Sequence, residues 1–148
     1  MQPSLFPDSG RGLILAYIDG GSRGNPGPAG YGVRIEDATG ALLEELHGSV
    51  GIATNNVAEY HALLAALRYA AEHGYRVLRI RSDSELLVKQ LRGEYRVKNP
   101  GLLPLYRKAR GLMAGFETVS FEHVPRSMNA EADRLANLAM DEAQNADV

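Results

Sequence analysis

Six consecutive apolar residues, Leu13-Ile14-Leu15-Ala16-Tyr17-Ile18, stop at Asp19-Gly20-Gly21. A half-exposed strand alternates apolar with polar residues, so an unbroken run of this length that ends in a turn signal describes a central strand buried on both faces. Such a strand needs a neighbour on each side and a covering layer over each face. With 148 residues the chain is long enough to build one core of that kind.

The remaining pattern supplies the neighbours and the layers. Tyr31, Val33 and Ile35 alternate with Gly32, Arg34 and Glu36, and Ala41 to Val50 follows across the short Ala38-Thr39-Gly40 connection, so these segments read as a hairpin. From Asn56 to Ala71 the period changes: Val57, Tyr60, Leu64, Leu67 and Ala71 recur at spacings of three and four, the mark of a helix, which Gly74 closes. Val77–Arg81 is a fourth strand, followed by a short helix to about Leu91. A helix from Leu102 to Gly115, a fifth strand from Val119 to Val124 and a helix from Asn129 to about Glu142 complete the chain. The order predicts an α/β domain with a five-stranded mixed sheet, the strand from Leu13 at its centre and helices on both faces. Residues 1–10 read as a loose leader, 11–142 as the domain and 143–148 as a tail.

The chain has no cysteine, so disulfides and thiolate metal sites are excluded, and any metal must sit on oxygen or imidazole ligands. No apolar run approaches the roughly 18–20 residues of a membrane span, and the start lacks a basic-then-apolar signal, so a cytoplasmic protein is expected. Net charge is −2, yet ten of the 16 Lys/Arg residues lie between Arg76 and Arg110 against three acids. That asymmetry suits either a positive face for a polyanion or a set of solvated helix and strand faces.

Four acids occupy places with chemical potential. Asp19 and Asp83 end apolar strands, and Glu59 and Asp133 lie in the first turns of helices. Singly each has an ordinary explanation, since acids complement a helix N-terminus and Asp-Gly makes a turn. Strand ends and helix starts nevertheless gather at one edge of an open α/β sheet. Two carboxylates ~4 Å apart repel by about 4 kcal/mol at an effective dielectric of 20, so a converging set demands cations or protons. Hard oxygen ligands point to Mg²⁺ or Mn²⁺, and two such ions about 3.5–4 Å apart are a standard arrangement for cutting phosphodiesters.

The words around these acids resemble the motifs of the type 1 ribonuclease H family. Asp19-Gly20-Gly21-Ser22-Arg23-Gly24-Asn25-Pro26-Gly27-Pro28-Ala29-Gly30-Tyr31-Gly32 is similar to the first motif and Thr54-Asn55-Asn56-Val57-Ala58-Glu59 to the second. Ser82-Asp83-Ser84 is similar to the third and Asn129-Ala130-Glu131-Ala132-Asp133-Arg134-Leu135-Ala136 to the fourth. They stand in family order from about Leu13 to Met140. The resemblance implies a ribonuclease H-like fold, three antiparallel strands followed by two parallel ones, and hydrolysis of the RNA strand of an RNA–DNA hybrid with two Mg²⁺ ions. Asp19 would bridge the ions, Glu59 and Asp83 completing one site and Asp133 the other. Asn25, Asn55 and Asn56 would contact bases and 2′-hydroxyls, the groups that distinguish RNA from DNA. Gly20 would allow close approach of the backbone to RNA, Ser84 would belong to the substrate-facing set, and Thr54, Lys98 and Asn99 would hold a phosphate of the DNA strand. No protein partner is implied, and a monomer is expected.

Two departures from the family pattern stand out. The long basic helix-loop that grips the hybrid in many members is missing or much reduced after Leu91, and Pro125-Arg126-Ser127-Met128 is too short for the histidine-rich flap. His123 lies ten residues before Asp133, a count that could mimic the flap histidine, but its phase with Val119 and Phe121 puts it on a strand face as a structural residue. Arg126 could instead bring a charge near the metals, and His47, His61 and His73 read as structural or surface residues. Two competing readings are a catalytically silent hybrid-binding domain, opposed by the four intact acids, and a DNA-cutting nuclease of integrase or resolvase type, opposed by Asn25 and Asn55-Asn56.

Overall fold

The computed structural model describes residues 12–145. The expected leader, residues 1–10, lies outside the described residues. Strands β1 (Leu13–Ser22), β2 (Gly27–Asp37) and β3 (Leu42–Ala53) precede helix α1 (Asn55–Glu72). Strand β4 (Val77–Ser82), helices α2 (Glu85–Leu91) and α3 (Leu103–Met113), strand β5 (Thr118–His123) and helix α4 (Ala130–Asn145) follow. The sheet order is β3-β2-β1-β4-β5, antiparallel across the first three and parallel from β1 to β4 and from β4 to β5. The strand from Leu13 is therefore central, as its apolar run requires.

Alternation along β1 sends Ile14, Ala16 and Ile18 to one face, where they join Val33, Ile35, Leu78 and Ile80 beneath Leu63, Leu64 and Leu67 of α1. All are 1% exposed or less, and burying each large aliphatic side chain contributes about 1.5–3 kcal/mol. Helix α1 begins at Thr54, whose Oγ1 accepts from the Val57 N–H at 3.2 Å, a cap worth about 1 kcal/mol. It ends as the sequence indicated, with Gly74 just past the cap at φ 77°, a left-handed conformation that favours glycine. Buried Tyr60 donates its hydroxyl to Gln90 Oε1 at 2.8 Å and ties α1 to α2.

Helix α4 covers the other face through small residues. A side chain on Gly30 would approach Ala139 Cβ to 2.7 Å, and one on Gly32 would collide with the backbone of α4 near Ala132 and Ala136. The third strand runs past the expected end at Val50, because its register continues to Gly27↔Ala53 beyond an irregularity between Ala29 and Gly30. Helix α4 likewise outlasts Glu142 to reach Asn145. The β5–α4 link is a single 3₁₀ turn (Arg126–Met128), and the α2–α3 link carries no helix. Among the described residues no helix is long and apolar enough to cross a membrane.

Candidate active site

The parallel ladder between β1 and β4 ends at the pair Ile18↔Ser82. The next residue on each strand is an acid, so Asp19 and Asp83 emerge side by side from the same end of the sheet. There the strands part. β4 turns into α2, whereas β1 continues to Ser22, paired only with β2. The sequence suggested that β1 stops at Asp19. Instead Asp19 lies within the strand opposite Gly32, because the hairpin with β2 supplies hydrogen bonds that the parallel neighbour no longer gives.

Two glycines bring the helices in. A side chain on Gly20 would overlap the backbone of Ala58 and Glu59, so its absence lets the start of α1 press against β1. Gly32 does the same for α4 at Ala132 on the opposite face. Asn129, 1% exposed, completes the seating: its Nδ2 donates to the Ile18 carbonyl at 2.9 Å, and its backbone carbonyl accepts from the Asp133 N–H at 3.0 Å. Glu59 is the fifth residue of α1 rather than part of its first turn, so compensation of the helix terminus does not account for it. Asp133 does sit in the first turn of α4.

One carboxylate oxygen from each of Asp19, Glu59 and Asp83 lies within 4.8 Å of the other two. Asp133 stands outside that mutual set but lies near enough for its carboxyl to act on Asp19. Burial foremost, then the Asp83 charge and the Asp133 and Glu59 carboxyls, push Asp19 up to about 8. Burial also raises Glu59 to about 7, Asp83 adding to the rise and a hydrogen bond from Ser84 opposing it. Without a counter-ion, burial and crowding therefore favour the protonated forms of Asp19 and Glu59. A tight set of hard oxygen donors with no sulfur or imidazole among them fits Mg²⁺ or Mn²⁺.

The acids line an open cleft of about 690 Å³ together with Gly20, Asn55, Asn56 and Ser84. Ser84 also caps α2, its Oγ accepting from the Leu87 N–H at 3.2 Å. Asn25 does not line the cleft but is joined to it through Asn55, whose N–H donates to Asn25 Oδ1 at 2.9 Å while its own Oδ1 accepts from the Ser22 N–H at 2.8 Å. Thr54, Lys98 and Asn99 do not line the cleft. Thr54 caps α1, and Asn99 folds the start of α3 by accepting from the Gly101 N–H at 2.7 Å.

His123 departs from its expected role. It keeps the strand phase of Val119 and Phe121, but as the last residue of β5 it is exposed and lines the cleft, with Nε2 3.3 Å from the Asp83 carbonyl. Arg126 also lines the cleft. His47 pairs with Glu142 and His73 with the Tyr69 carbonyl, both at the surface. Sequence reasoning assigned no role to Arg23, Asn129 or Asn137. The first two lie inside the matched motifs, but their partners are more than 100 positions away in the chain.

A family profile described as "Reverse transcriptase-like" matches residues 17–139. The chain is 47% identical over 137 residues to Ribonuclease HI of Halobacterium salinarum, an alignment covering 93% of this chain and 68% of that protein. It is 49% identical over 131 residues to a bifunctional protein of Mycobacterium tuberculosis, of which it spans only 36%. The solved N-terminal RNase H domain of that protein superposes with a TM-score of 0.88 at 45% identity, covering 92% of this chain and 99% of that one. An RNase H1 from compost, solved in complex with an RNA/DNA hybrid, gives 0.84 at 44% identity, with coverages of 88% and 99%.

Proposed function

The chain belongs to the ribonuclease H family of enzymes, and from that premise we propose that it cuts the RNA strand of RNA–DNA hybrids internally, leaving 5′-phosphate and 3′-hydroxyl ends. The observation that carries this reading is the carboxylate cluster around Asp19, set beside a loop whose exposed tip bears Asn25. The compost RNase H1 solved with a hybrid supports the choice of substrate.

Asp19, Glu59, Asp83 and Asp133 would hold two Mg²⁺ ions, with Mn²⁺ as a substitute and Asp19 shared. When bound, such ions neutralise phosphodiester charge and acidify a water molecule. The protein's part is to hold four carboxylates at a spacing that is unfavourable in their absence and to orient the RNA strand. The Ser84 hydroxyl favours the ionised form of Glu59. The Oδ1 atoms of Asn25 and Asn55 are occupied by backbone N–H groups, which leaves their Nδ2 donors for 2′-hydroxyls and base edges, with Asn56 beside them. The bare Cα of Gly20 lets α1 bring Glu59 against β1. Thr54, Lys98 and Asn99 would take a DNA-strand phosphate; Lys98 is exposed and forms no ion pair among the described residues. One chain supplies all four acids, so one copy suffices to build the site, and in this reading the enzyme acts as a monomer in the cytoplasm.

The test is a cleavage assay with end-labelled RNA–DNA hybrid, double-stranded RNA and double-stranded DNA, each with Mg²⁺, Mn²⁺ or chelator. Metal-dependent cutting of the hybrid's RNA strand is expected. Equal cutting of double-stranded DNA would favour an integrase-like nuclease, and tight hybrid binding without cleavage a silent binding domain.

A further inference from the structure

We propose that Arg23 is a positioning residue for RNA recognition: its guanidinium fastens the loop between β1 and β2 to α4 and so holds Asn25 and Asn55 in the arrangement that meets the RNA strand. The proposal rests on the hybrid-cutting reading for its functional consequence, though not for its structural part.

The loop's tip, Gly24-Asn25-Pro26, is exposed, and a connection of this kind is ordinarily among the most mobile parts of a domain. Here it is gripped from two sides. On the α1 side stand the two hydrogen bonds with Asn55, to Ser22 and to Asn25. On the α4 side, Arg23 Nη1 donates to Asp141 Oδ1 and Gln144 Oε1, both at 2.6 Å, and Nη2 donates to Asn137 Oδ1 at 3.1 Å. Positions 137, 141 and 144 are successive turns on one face of a helix. The Arg23 N–H also closes the loop on the Pro28 carbonyl at 2.9 Å.

Only a guanidinium presents several donors in a rigid fork, so it can engage three acceptors at once where an ammonium on a flexible stem cannot hold the same geometry. The anchor is itself fixed near the acids, because Asn137 Nδ2 donates to the Asp133 carbonyl at 2.9 Å. Arg23 has a side chain 33% exposed and Asp141 one 57% exposed, and an ion pair this open adds little to global stability. Its effect falls on the order of the loop. An Asn25 that must first be ordered by substrate binds with the cost of that ordering subtracted.

Arg23→Ala and Arg23→Lys in the full chain test this with two independent readouts. In steady-state cleavage of hybrid at saturating Mg²⁺, Arg23→Ala is expected to raise KM about tenfold while kcat stays within about threefold, and Arg23→Lys to fall between. Without substrate, the Ser22 and Asn55 amides should exchange hydrogen faster in Arg23→Ala, with far-ultraviolet circular dichroism unchanged. Adding Asn137→Ala to Arg23→Ala should cost less than it does alone, since both remove one contact. A folded Arg23→Ala with unchanged KM, a loss confined to kcat, or unaltered exchange at Ser22 and Asn55 would each overturn the proposal. If the unmodified protein fails to cut hybrid, the functional reading falls, and amide exchange alone still decides whether Arg23 orders the loop.

Discussion

Replacing Asp19 by Asn should stabilise the metal-free protein at alkaline pH while removing its activity. Three carboxylates mutually within 4.8 Å would, if all ionised, repel by about 3–4 kcal/mol per pair at an effective dielectric of 20. Burial foremost, with this repulsion added to it, makes the fold hold a proton there, and Asp19 sits at about 8 instead of its ordinary 3.8. Below about pH 4 the folded and unfolded chains both carry that proton, and the site imposes no penalty. Between 3.8 and 8 the unfolded chain has released a proton that the folded chain still holds. Stability therefore falls as pH rises, by up to about 1.4 kcal/mol per unit, and the deficit is complete above the folded value. At pH 7 this amounts to about 4 kcal/mol from Asp19.

Asparagine cannot ionise, and it also gives up some of the contacts the carboxyl makes. The expected gain at pH 8 in chelator is about 2–4 kcal/mol, or roughly 5–15 °C in Tm for a domain of this size. Thermal and urea unfolding of both proteins in chelator from pH 4 to 8.5 measures it. The gap should close towards pH 4, and Mg²⁺ should raise the Tm of the unmodified protein far more than that of Asp19→Asn, because only the former binds it well in the folded state. A gap independent of pH, or a variant less stable than its parent at pH 8, would refute the reasoning.

Three further outcomes are expected. Asp83→Asn should lower hybrid cleavage by at least about 10³-fold with an unaltered circular dichroism spectrum, since it removes a charge needed to hold cations and no core contact. Gly20→Ala should destabilise the protein by about 1–3 kcal/mol in urea unfolding, because the added methyl group overlaps α1 at Ala58 and Glu59, and activity should drop with it. In a salt titration of hybrid binding by Asp83→Asn, log affinity should fall against log salt with a slope of about −2 to −3. Of the four cations clustered in and after α2, Lys89, Arg92, Arg96 and Lys98, Arg92 is engaged by the Phe121 carbonyl and Lys89 by Glu85 and Tyr95, which leaves Arg96 and Lys98 of that group.

What was legible in the sequence was what local pattern encodes. Six apolar residues in a row required a central strand, the change of period at Asn56 required a helix, and the four acids stood in recognisable words. What was illegible depends on pairing across the sheet. Asp19-Gly20-Gly21 reads as a turn on its own chemistry, and only the register with β2 shows that the strand passes through it. His123 reads as structural because alternation gives the phase of a strand residue, whereas as the last residue of β5 it is exposed and lines the cleft. Arg23 and Asn129 look like ordinary loop residues until α4 is laid across the sheet and their partners arrive from the far end of the chain. The same holds for Gly32. As a residue alternating with Tyr31 and Val33 it passes for an outward strand position, yet it lies opposite Asp19, and the bare Cα there admits α4 on one face as Gly20 admits α1 on the other. A methyl group at either position would push a helix, and with it Asp133 or Glu59, away from Asp19. The carboxylate cluster is thus set as firmly by two missing side chains as by the four acids, and hydrophobic or charge patterning gives no sign of that.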